Sequence, residues 1–167
     1  MTDLLESLRQ SFADPVTRHA MLVHFPIAVS LLAIPFVAIL PFLGSRKATG
    51  YRVVLAVLLL AISVVAWQAG EAGEAALPVV EARLPTQNAR EVLARHATVG
   101  ERIPLLMAGT ALLVGLTTIR IRWFRVGSGV LATTAAVATA GVVVIASHDG
   151  GRLVHHLDRP SLSWNSD

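Results

Sequence analysis

The residues of this chain best suited to chemistry are its six histidines, His19, His24, His96, His148, His155 and His156. Imidazole is the commonest metal ligand and the only side chain whose unperturbed charge changes near neutral pH. The sequence has no cysteine. Covalent c-type haem, cysteine-ligated iron–sulfur clusters, thiolate zinc sites and disulfides are therefore excluded. Any metal would be held by nitrogen, oxygen or methionine sulfur.

Spacing sorts the histidines. His24 lies one turn into the first long apolar run. His96 stands ahead of the third, on a stripe with Ala89, Val92, Leu93 and Ile103 at helical spacing. His148 follows Gly141 by seven residues, on a face that also carries Gly127 and Thr134. These three helices each offer one imidazole at similar depth, as in cofactor sites between facing helices of a bundle. His24, His96 and His148 are thus the candidate cofactor ligands, with His155 added for a bare metal. Asp149 is a candidate acceptor that would fix a histidine tautomer. His19 and His156 form a secondary rim. His19 and His24 sit about 140° apart on an ideal helix. His155 and His156 follow Gly150-Gly151, where a helix break is expected. The competing reading is six interfacial histidines bonded to backbone or lipid head groups.

The elements that must position these residues are apolar helices. Hydrophobic residues make up 54% and charged residues 15% of the 167, and the mean hydropathy is +0.63. Four runs are free of charge: Ala20 to Ser45, Val53 to Gly70, Ile103 to Ile119 and Val126 to Ser147. Each is close to the length that crosses a bilayer. Inside the hydrocarbon the backbone must satisfy its own hydrogen bonds, so these runs are helices. The expected fold is all-α, an integral membrane four-helix bundle. Its parts are an amphipathic lead over 1–19, a membrane domain over 20–148 and a tail over 149–167.

Charge orients the bundle. Arg46, Lys47 and Arg52 fill the first short loop and Arg120, Arg122 and Arg125 the third, whereas all 11 acidic residues lie elsewhere. Short basic loops stay cytoplasmic. Both termini, the second loop and all the histidines are then outside, periplasmic in a Gram-negative inner membrane. The basic loops suit anionic lipid and are not a nucleic-acid site. The first 19 residues are too mixed in charge for a signal peptide.

Leu4, Leu5, Leu8 and Phe12 give the lead an apolar stripe suited to a membrane surface. Pro26, Pro35 and Pro41 interrupt the first run, and Pro26 frees the carbonyl of Leu22 beside His24. The outer loop is expected over Glu71 to Arg95, divided by Pro78 and Pro85, with helix resuming from Thr86. Pro104 and Gly100 predict a bend in the third helix. Trp67 and Trp123 suit the two interfaces. The small face of the fourth helix predicts close packing. Two hairpins with basic loops hint at a repeat, but topology alone produces that likeness.

Three stretches resemble a known family: His19-Ala-Met-Leu-Val-His24-Phe-Pro-Ile-Ala, the isolated His96, and Gly150-Gly-Arg-Leu-Val-His155. They are similar to the bacterial membrane family catalogued as domain of unknown function 2231. The resemblance spans residues 18 to 157 and implies four membrane helices in an electron-transfer setting. Ala20 stands where that family has proline, Arg152 where it has glutamate and His155 where it has tyrosine. Leu157 falls near its final histidine.

Three functions follow. The first is a redox subunit holding haem b between His24 or His96 and His148, and exchanging electrons with quinone or a periplasmic carrier. The second is a copper or zinc site, for which Thr133, Thr134 and Thr139 give too little polarity for a through-path. The third is a cofactor-free structural or assembly subunit of a larger membrane complex. The chain reads as an accessory protein more than an enzyme. It has no Gly-x-Ser-x-Gly or His-Glu-x-x-His. Ser147-His148-Asp149 are sequence neighbours and cannot adopt a triad's geometry.

Overall fold

The computed structural model describes residues 2–44, 48–84 and 86–158. Arg46, Lys47, Pro85 and the end of the tail from 159 lie outside the described residues, as do the side chains of Leu4, Leu8 and His156. The chain is helical, with no strand among the described residues. Its elements are α1 (Thr2–Ala13), α2 (Pro15–Ala38), α3 (Thr49–Glu81), α4 (Gln87–Gly100), α5 (Ile103–Leu116) and α6 (Arg122–Asp158).

Local chemistry explains the boundaries. Asp14 caps α2 by accepting from the Thr17 amide at 2.8 Å, with Pro15 in the first turn, where no donor is lost. Thr86 caps α4 through the Ala89 amide at 3.2 Å. Pro104 has no N–H for the Gly100 carbonyl, and the chain turns at Glu101-Arg102 between α4 and α5. Helix α3 runs through Pro78 to Glu81. The expected long outer loop is therefore mostly helix, leaving a short turn before Gln87.

Four spans are long and apolar enough to cross a membrane: α2, α3, α4 with α5, and α6. Size is distributed as a bilayer demands. Ala33, Ala66, Ala69, Ala72, Ala132, Ala136 and Ala140 are buried between helices, whereas Phe25, Leu32, Phe36, Val54, Leu105 and Leu112 face outward. Small residues let backbones approach, and lipid covers the large ones. The protein is a multi-pass helical membrane bundle. Around it the neighbours run α2, α3, α5, α6 and back to α2, while α4 leans on α6.

Two expectations about α6 are corrected. Gly127, Thr134, Gly141 and His148 are exposed, and the packing face is Ala132, Ala136, Ala140, Val143, Ala146 and Leu153. Both faces are small, so size could not tell them apart. The expected break at Gly150-Gly151 is also absent, because α6 is continuous there.

Candidate functional site

The structure pairs His19 of α2 with His96 of α4, across the bundle. Their ring centroids are 6.0 Å apart and their planes are inclined by 82°. Each ring is oriented from behind. His19 Nδ1 donates to the Ala69 carbonyl of α3 at 2.7 Å. His96 Nδ1 donates to the Ala146 carbonyl of α6 at 2.9 Å. A carbonyl only accepts, so the neutral rings carry their proton on Nδ1 and keep the Nε2 lone pair. Neither Nε2 has a hydrogen bond among the described residues.

Glycines make room for both rings. A Cβ at Gly73 would lie 2.9 Å from His19 Nδ1, and one at Gly150 would lie 3.2 Å from His96 Cε1. The two arrangements repeat the same pattern. Each imidazole bonds a carbonyl 50 residues onward and rests on the glycine one helical turn beyond it. Arg18-His19-Ala20 recurs as Arg95-His96-Ala97, Ala69 as Ala146, and Gly73 as Gly150, always at the same displacement. The two imidazoles thus sit in matching local settings, one in the first half of the chain and one in the second, the kind of likeness that internal repeats leave in membrane proteins.

A cavity of about 450 Å³ contains the pair, walled by Val23, Ile27, Leu77, Val143 and Gly70, with His24, Glu74, Glu101 and Ser147 the other polar residues at its edge. That size suits a small organic ligand or cofactor. One turn deeper, Ser30, Thr110 and Thr139 are buried beneath it. Further on, Val37, Leu40, Val114 and Ala132 form a dry apolar core.

The other sequence candidates fall as follows. His24 reaches the cavity wall, but it is exposed and its Nδ1 donates to its own helix, to the Ala20 carbonyl, at 2.6 Å. His148 and His155 are exposed and do not line the cavity. Asp149 serves a different partner from the one expected. It is 1% exposed and receives Arg95 Nε at 2.8 Å and Nη2 at 2.5 Å. Among the described residues no three His, Asp or Glu side chains converge as a metal site. The histidines in ring contact are therefore His19 and His96, with His24 at the cavity wall and His148 and His155 outside it. The sequence did carry a signal for His19: the tripeptide Arg-His-Ala occurs before both hairpins, and Ala-x-x-x-Gly occurs in both return helices.

Compared with known proteins, the chain matches no family, no curated protein and no solved structure.

Proposed function

We propose that this membrane protein is a haem b subunit in electron transfer, and that His19 and His96 are the residues that would hold the haem iron. The observation that carries the reading is the 6.0 Å separation of two imidazoles already held in one tautomer by carbonyls behind them. Imidazole–metal bonds are roughly 2.0–2.1 Å long, so two rings whose centroids lie 6.0 Å apart would both be within reach of one metal ion. A bare zinc ion takes three or four ligands from the protein, and among the described residues only two imidazoles converge here. A porphyrin supplies the in-plane donors itself, so two suffice. Alanines and glycines line the cavity around the rings, and its apolar walls would suit a macrocycle. The group would supply reversible one-electron chemistry. The protein's part is to hold the rings, keep Nε2 unprotonated and limit water.

The partners consistent with this site are a quinone from the bilayer or an electron carrier at the histidine end. We further propose that this end is periplasmic, at an inner membrane, on the strength of the basic loops at the opposite end. Membership of the family named above is part of the same proposal, supported by the opening and closing motifs. Protein purified from haem-replete cells, or titrated with haemin, should show a sharp Soret band and resolved visible bands on reduction. His19→Ala and His96→Ala should each abolish the bis-imidazole spectrum. A colourless protein that takes up no haemin would sink the reading.

A further inference from the structure

The two imidazoles have matching contacts, yet their helical turns are not held equally. His96 follows Arg95, whose guanidinium makes two bonds to the buried Asp149 of α6. Val92 and Leu93, on the preceding turn, are buried against Leu84 and Leu153. The turn carrying His96 is therefore fixed by a double charge-assisted bond and by apolar burial. The first half lacks both. Ala72 occupies the place that Asp149 has in the second half. From Pro15 to Phe25 no residue of α2 is fully buried. Among the described residues, the His19 ring is held by its carbonyl bond, its seat on Gly73 and its edge contact with His96. Segments with few buried contacts open first.

We propose that His96 is the permanent ligand and His19 the exchangeable one, so that the site admits a small uncharged ligand such as carbon monoxide where His19 withdraws. The proposal rests on the bis-imidazole reading above. The lining favours a neutral molecule over an ion, because the walls beside the rings are apolar and would desolvate a charge. The Arg95–Asp149 pair is a positioning device, since it acts on the site only through His96.

The test uses the full-length protein in detergent, loaded with haemin, reduced and mixed with carbon monoxide. His19→Ala should keep its haem and bind carbon monoxide about tenfold faster or more, because the fraction of time spent waiting for His19 to leave is removed. His96→Ala should lose the haem. Equal behaviour of the two variants, or the reverse order, overturns the proposal. A second measurement needs neither cofactor nor variant. In the cofactor-free protein, diethyl pyrocarbonate should modify His19 several times faster than His96, read by peptide mass spectrometry. Equal rates, or faster modification of His96, would also overturn it. If the wild-type chain takes up no haem, the bis-imidazole reading fails, and the modification order still decides whether the two rings are unequally held.

Discussion

Replacing Gly73 with alanine should damage the site far more than the same change at neighbouring glycines. The new Cβ would lie 2.9 Å from His19 Nδ1 and 3.0 Å from Cε1. Comfortable contacts between such atoms are about 3.5–4.0 Å, so the ring must retreat by roughly half an ångström. Its 2.7 Å bond to the Ala69 carbonyl opposes that movement. Overpacking of this kind costs about 1–3 kcal/mol, against a gain of about 1 kcal/mol for alanine over glycine in a helix. The net result is a loss of about 1 kcal/mol. At Gly150 the nearest approach is 3.2 Å, and the two effects should nearly cancel. At Gly70 and Gly151 nothing lies within 4 Å, so alanine should stabilise by about 0.5–1 kcal/mol. Haemin affinity should fall about tenfold to a hundredfold for Gly73→Ala, the usual penalty for disturbing a ligand's orientation. Thermal unfolding in micelles and haemin titration by absorbance would measure both. If Gly73→Ala melts and binds as Gly70→Ala does, the crowding argument is wrong.

Arg95→Ala should lower the melting temperature more than Asp149→Ala. The first leaves a carboxylate that is 1% exposed without its partner, whereas the second frees a guanidinium whose side chain is 55% exposed. Equal losses in thermal denaturation would contradict this. His148→Ala should leave both the absorption spectrum and the melting temperature unchanged, because His148 is exposed and lies outside the cavity. Thr139→Val should cost less than about 1 kcal/mol in unfolding assays, because hydrogen bonds between membrane helices are weak and its 3.3 Å contact with Thr110 is long. The Asp14 cap should persist into acid. Bonds from the Thr17 hydroxyl and amide hold the Asp14 carboxyl below the usual carboxylate range. Its stabilising effect is present above the ordinary carboxylate value and lost as pH falls through the lowered one. Hydrogen exchange at the Thr17 amide across that range should follow the same course.

The four spans were legible because bilayer thickness and backbone hydrogen bonding leave a long uncharged run few alternatives. The restart of helix at Thr86 and the bend at Pro104 were legible because one depends on the local helical spacing of apolar residues and the other on a missing donor. The pairing of His19 with His96 was not read from spacing. His19 was assigned to a lead that ends before the membrane, but Asp14 and Pro15 start α2 early enough to carry it into the bundle. The inward turn of α6 was misread because glycine and threonine on one face are as small as alanine on the other.

Composition and charge by themselves determined an all-α membrane protein whose histidines cluster toward one end of the bundle, since both follow from solvent and topology. Tertiary structure decided which histidines meet. Helix rotation, and the close approach that Gly73 and Gly150 permit, place His19 and His96 together and leave His148 facing outward. Those angles depend on contacts between helices far apart in the chain, and no local pattern contains them.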